Sequence, residues 1–517
     1  NRQINNDLSV RISGMGHKSE IAGRDAIYND RWGAAFALAY KPTDRMEIGF
    51  DYYHLTTDEM PDWGVPYDNA NNRPFDVNRD NFYGIVDRVF RKTFADIYTL
   101  NGSYRVSDSL KLHGVVRYGQ TGNAYVASAP ERPDTSDADP ANWTLRANAK
   151  RRDAVTNYWA GQFDATWDVK TGAFEHTIVF GLDASNERIL NRRRATVECA
   201  TLPCTGPTSS PTQNLFNPNP YQPWTVGDDG LTNRTRTSVD SFGLYAIDTI
   251  KFGEKWRVTA GLRRDSYDIN YSDFNYNTAV GSERSNDVDF WNWHLGLVYK
   301  PKTNVSLYAA YGSSSNPSGE QLDSTSLDYG GLDARTEALK PERNKSYEVG
   351  VKWNAFDEHL ALGAALFRIE KENARVALDA STVALVGEQR ADGIELSASG
   401  NITKAWSMFG GVTFLDAKTT ASPVAANIGA KFPNVPKTSF SLTSRYQVTE
   451  KGNLGATATY NSKRYGGTSV AQSTFIPDYW RVDLFGGYQV TDRVEVSFNV
   501  LNLTDELYYD ALYRSST

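Results

Sequence analysis

NKSYEVGVKWNAFDEHLALGAALFRI, residues 344–369, decides the reading of the chain. Tyr347, Val349, Val351 and Trp353 fall on one face of a period-two pattern, and Ser346, Glu348, Gly350 and Lys352 fall on the other. After a short turn at 354–358, Leu360, Leu362, Ala364 and Leu366 share a face, opposed by Ala361, Gly363 and Ala365. This is a hairpin with one apolar and one polar or small face. The flanking segments 312–340 and 370–391 are rich in Ser, Asp, Glu, Gly and Arg. Tight turns at one end and long polar loops at the other predict an all-β fold, an antiparallel transmembrane β-barrel.

The turn phrase recurs. An aromatic, one residue, Val or Pro, then a small polar cluster appears at Tyr40-Lys41-Pro42-Thr43-Asp44, Tyr104-Arg105-Val106-Ser107-Asp108, Tyr299-Lys300-Pro301-Lys302-Thr303, Tyr446-Gln447-Val448-Thr449-Glu450 and Tyr488-Gln489-Val490-Thr491-Asp492. Variants sit at Trp167, Phe252, Trp353 and Ile402. With a further turn at 5–7, these phrases predict about nineteen strands plus a stub at 1–4. Each aromatic lies at one height in its hairpin, as an interfacial girdle requires. Between the turns, long loops are expected at 57–93, 127–156, 191–236 and 313–344, with strands resuming at residues such as Trp32. A soluble propeller also alternates, but its repeat is about 40 to 50 residues with less variance and no short-long rhythm of connections.

Composition is compatible with this wall. Aromatics reach 12%, with 29 Tyr and 12 Trp, and mean hydropathy is -0.53. No run approaches the roughly eighteen apolar residues of a spanning helix, whereas a barrel strand needs only about 9 to 11. A net charge of -7 argues against nucleic acid as a partner. The six His are scattered without metal-ligand spacing, and neither a nucleophile elbow nor a phosphate loop is present. No enzyme, resident metal or cofactor is expected. Cys199 and Cys204 lie in a polar segment beside Arg192-Arg193-Arg194 with no nearby His or second Cys pair, so a loop disulfide is expected over half a metal site.

Several phrases resemble the TonB-dependent siderophore receptors of Gram-negative outer membranes, and more narrowly their ferric-catecholate branch. They include Gly23-Arg24-Asp25, Pro61-Asp62-Trp63-Gly64-Val65-Pro66, Phe82-Tyr83-Gly84, Leu339-Lys340-Pro341-Glu342 and Asn499-Val500-Leu501-Asn502-Leu503-Thr504-Asp505. The resemblance implies a barrel of about 22 strands holding an N-terminal plug that contacts TonB. On that expectation 1–517 is a barrel domain incomplete at both ends, lacking the plug, its TonB-contacting segment, the first strand, most of the second and the last. It implies active uptake of ferric siderophores, catecholates first, by a monomer set in outer-membrane lipid and lipopolysaccharide; a passive porin-like channel is the alternative. Ferric catecholate complexes are anionic and ringed by aromatic surfaces, which calls for guanidinium donors and stacking partners. Arg24, Trp63, Tyr67, Tyr83, Arg88, Arg335 and Arg375, in or beside the family-like phrases, are the expected ligand contacts.

Overall fold

In the computed structural model, which describes residues 1–199, 211–319, 332–378, 382–466 and 474–512, the deciding stretch forms strands Glu342–Ala355 and Leu360–Ala377. They pair with Val349 opposite Leu366 and Trp353 opposite Leu362. Their polarity is the reverse of a soluble sheet. Val349 is 51% exposed and Leu366 53%, with Tyr347 and Trp353 also exposed. On the other face the Tyr308 hydroxyl donates to Glu348 at 2.5 Å. Apolar outside and hydrogen-bonded inside is the arrangement of a wall solvated by lipid, and it removes the propeller alternative.

The same polarity runs through one antiparallel sheet in which each long strand pairs with the next in sequence. Among the described residues, nineteen long strands and the stub Arg2–Gln3 make up the wall, together with the short strand Thr212–Asn214 against Thr144–Thr171. All ten expected tight turns are present, at 4–7, 44–45, 106–109, 172–173, 253–255, 303–304, 356–359, 402–405, 448–451 and 492–493. Among the described residues, no ladder joins Val494–Val500 to Leu8–Ile21, so both keep a free edge for most of their length.

Outward aromatics form two rows. Tyr40, Tyr104, Trp167, Trp353, Trp406 and Tyr488 lie at the turn end, while Trp32, Tyr98, Trp159, Tyr347, Phe414 and Trp480 lie farther along the same strands, all exposed. Row partners such as Tyr98 and Tyr104, or Trp159 and Trp167, are about six to eight residues apart, roughly 20 to 26 Å along a strand. That is the right order for tilted strands crossing an apolar band about 25 Å tall.

The outer connections differ from expectation. The segment after Ile21 is a tight turn at 22–23, and the next strand begins at Arg24 rather than Trp32. Gly23 makes this turn with φ of 77°, and a side chain there would also run into Asp80. Much of 127–156, 191–236 and 370–391 is strand, in the long pairs Leu110–Asp134 with Thr144–Thr171, Phe174–Cys199 with Thr225–Phe252, and Leu360–Ala377 with Val383–Asn401. The rhythm of short and long connections is therefore not strict. Beyond the bilayer both faces of a ribbon meet water, so the ladder continues to satisfy the backbone while the apolar period disappears. The expected Cys199–Cys204 disulfide lies outside the described residues.

Candidate functional site

The long connections gather at the end of the wall opposite the tight turns, and segment 60–89 is their hub. Asp62 starts it by accepting the Gly64 N–H at 3.0 Å, an Asx turn completed by Gly64 at φ 81°. The segment then buries two apolar clusters. Met60, Phe82 and Val89 close over Ile27 of the wall, while Phe75 and Tyr83 close over Leu145 and Leu215. Segment 60–89, the residues after Thr212–Asn214 and the strands Arg24–Thr43 and Thr144–Thr171 are thereby packed together.

Five of the seven expected contacts belong to this hub. Arg24 donates to the Asn81 carbonyl at 2.5 Å and forms an ion pair with Asp62; burial pushes the Asp62 carboxyl up, against the opposing pull of Arg24. The Tyr67 hydroxyl donates to the Phe475 carbonyl at 3.1 Å and accepts the Phe475 N–H at 2.7 Å. Tyr83, 1% exposed, donates to the Leu215 carbonyl at 2.7 Å. Arg88, also buried, donates to Ser128 Oγ at 2.5 Å and to the Ala147 carbonyl at 2.7 Å, and burial lowers its guanidinium to about 10. Those four side chains hold loops together. Trp63 differs, because it lines a cavity of about 680 Å³.

That cavity also exposes two residues that sequence reasoning missed. Tyr125 lies with its ring 6.4 Å from that of Trp63, and Arg91 is the direct cross-strand partner of Tyr125. Arg91 comes no closer than 3.8 Å to Glu59. Their signal in the sequence was parity: both share the inward row of their strands with Thr93 and Asn123.

Arg335 and Arg375 belong to a second group. Leu332 packs on Val239, Ile269 and Tyr271 of the inner wall, and the Leu339 carbonyl accepts from Asn286 at 3.1 Å. Arg335 grips Asp333 through Nε at 3.0 Å and its backbone N–H at 2.8 Å. Arg375 donates to the Asn316 carbonyl at 3.0 Å, and its backbone N–H reaches the buried Glu342 at 2.8 Å. Burial works to raise the Asp333 carboxyl, but the bonds from Arg335 outweigh it and leave it below its ordinary value. A depressed carboxylate stabilises the fold above its unfolded value and loses that contribution as pH falls. Proteolysis within 332–341 should therefore be constant from pH 8 to 5 and increase only below about pH 4; an increase already at pH 6 would contradict the Asp333 clasp.

Comparison with known proteins follows the geometry. Residues 31–503 match the family model described as TonB dependent receptor-like, beta-barrel. The chain is 29% identical to the probable TonB-dependent siderophore receptor PiuA of Acinetobacter baumannii, aligned over 100% of this chain and 72% of that protein. It is 30% identical to the probable TonB-dependent receptor BfrD of Bordetella pertussis, over 99% and 71%, and 27% identical to the catecholate siderophore receptor Fiu of Escherichia coli K12, over 100% and 71%. The crystal structure of PiuA superposes with a TM-score of 0.89 at 26% identity, covering 98% of this chain and 75% of that one. The closed form of Fiu gives 0.87 at 26%, with the same coverage. The chain belongs to the TonB-dependent receptor family, and its lipid-facing wall is the β-barrel of a Gram-negative outer-membrane receptor.

Proposed function

We propose that this receptor takes up ferric siderophores by TonB-dependent active transport, with iron–catecholate complexes as its ligands. The observation that carries the ligand class is the mouth cavity. It offers the rings of Trp63 and Tyr125 as flat partners and the Arg91 guanidinium as a cation, the two features an anionic complex ringed by aromatic faces requires. Names of the relatives support uptake over a passive pore: Fiu is a catecholate siderophore receptor and PiuA a probable siderophore receptor.

In this reading Arg24, Tyr67, Tyr83 and Arg88 act by holding the hub that presents Trp63, Arg335 stiffens the 332–341 loop through Asp333, and Arg375 ties the strand ends at Asn316 and Glu342 that flank it. The free sheet edges support completion of the cylinder by further strands, because unpaired backbone groups in lipid cost several kcal/mol each. A plug within that cylinder, contacting TonB, gates the receptor, which works as a monomer.

Binding separates contact residues from holding residues. Trp63→Ala with Arg91→Ala should weaken a ferric catecholate by about 10- to 100-fold, from loss of roughly 1.4 to 3 kcal/mol of stacking and charge-assisted bonding. A neutral ferric hydroxamate should be little affected. Arg335→Ala with Arg375→Ala should weaken both ligands alike, by freeing the loop. Titration by fluorescence quenching reads both, and an equal loss of the two ligands in the Trp63 and Arg91 variant would sink the assignment of that cavity.

A further inference from the structure

The mouth cavity carries a carboxylate that an anionic ligand alone does not explain. Asn29, Glu59, Arg91 and Tyr125 form one inward cross-strand row over strands Arg24–Thr43, Met46–Glu59, Phe90–Arg105 and Leu110–Asp134, and all four line the cavity. Among the described residues, three charged side chains line it: Glu59, Asp62 and Arg91. Asp62 is neutralised by its ion pair with Arg24. Glu59 has no such partner in close contact.

Its Oε2 accepts from Asn29 Nδ2 at 3.2 Å and its Oε1 from the Thr57 hydroxyl at 3.2 Å, both neutral donors. The Arg91 guanidinium stands 3.8 Å away, outside hydrogen-bond reach. The Glu59 side chain is 17% exposed and that of Arg91 43%. A ligand that closes the cavity therefore completes the burial of Glu59 and draws Arg91 towards its own negative charge. Left with two neutral donors, the carboxylate would lose its remaining water and repel the anion, both unfavourable. A cation supplied by the ligand removes both penalties.

We propose that Glu59 is a specificity residue for an ammonium group on the ligand, so that the preferred siderophore is a catecholate joined through an amide to a basic amino acid or polyamine. This rests on the catecholate reading of the cavity and narrows it. Glu59 lies two strands from Tyr125, about 10 Å at the ordinary strand spacing. A lysyl chain amide-linked to a catechol spans that distance from ring to ammonium. With a ring against Tyr125 and Trp63, the catecholate oxygens meet Arg91 and the ammonium donates a charge-assisted hydrogen bond to Glu59. Catecholates with neutral linkers are selected against, because their approach buries Glu59 without a cation.

The test titrates the receptor purified from outer membranes with two ferric complexes, those of dihydroxybenzoyl-lysine and dihydroxybenzoyl-norleucine, which share catechol, amide and chain and differ in the ammonium. Fluorescence quenching should show the lysine complex bound about 10-fold or more tightly than the norleucine complex. Glu59→Gln should bring the two within about 2-fold, weakening the lysine complex and tightening the norleucine one as the repulsion is removed. Unchanged heat-modifiable migration on gels shows that the variant still folds. A carboxylate that serves only to hold Arg91 or the strand end would, when replaced, weaken both complexes in parallel, and that result overturns the proposal. Equal affinity of the unmodified receptor for the two complexes, or a preference that survives in the folded variant, overturns it as well while leaving the catecholate reading intact. Failure of the unmodified receptor to bind either of these or any other ferric catecholate overturns that reading, and the proposal with it.

Discussion

Val349→Arg and Leu366→Arg, made singly, are each expected to cost about 1 to 2 kcal/mol of stability in lipid, less than the roughly 2 to 4 kcal/mol of a cation at the bilayer midplane, because both sit one residue pair inside the outer aromatic row. Val349 and Leu366 are direct cross-strand partners, both more than half exposed, and both lie between the two aromatic rows. Combining the changes should exceed the sum, because two arginines then stand opposite one another and repel. Folding into bilayers of defined thickness, followed by denaturant titration, reads the effect. Ser399→Arg, on the inward face of Val383–Asn401 opposite Phe409, is the control and should cost far less. A soluble sheet would give no such depth-dependent penalty, so equal tolerance at Val349 and Ser399 would overturn the polarity of the wall.

Tyr83→Ala should open the hub while leaving the barrel folded. The side chain is almost fully buried among Phe75, Leu145 and Leu215, and its hydroxyl donates to the Leu215 carbonyl. Removing a buried aromatic costs about 3 to 5 kcal/mol, whereas Tyr83→Phe, which leaves one carbonyl short of a donor, should cost about 1 to 3 kcal/mol. Hydrogen exchange should accelerate across 60–89 and 211–216 in the alanine variant, without change in strands such as Trp406–Ala421. Ferric-catecholate binding should weaken with it, because Trp63 is presented by the same segment. Unaltered exchange at 211–216 would show that Tyr83 does not couple these loops.

The wall was legible because lipid on one side and water or protein on the other write a period of two into every crossing. Residues 344–369 carry the pattern openly, and the aromatic before each turn marks the turn-end boundary. Where strands stop on the other side was not legible. In Leu110–Asp134 the ladder runs on to Asp134 opposite Thr144, through residues such as Glu131 and Pro130 that carry no apolar alternation. At the loop end the sequence shows which residue types are present but not which partners they take. Arg88 reads as a free cation at a loop junction until the fold supplies Ser128 and Ala147, 40 and 59 residues away. Arg91 was hidden for the opposite reason, since it sits in a strand end expected as part of the loop at 57–93, and Tyr125, just before the loop expected at 127–156, carries no distinctive phrase.

The central claim, energised uptake of ferric catecholates, is tested most directly by accumulation of radiolabelled iron as a ferric catecholate. The cells carry this receptor as their one route for the complex, and are compared with and without TonB and before and after collapse of the proton gradient. The account predicts that uptake falls to the level of receptor-free cells when either is removed, while surface binding of the complex persists. Uptake that continues at an undiminished rate in both cases would contradict it and make the protein a passive channel.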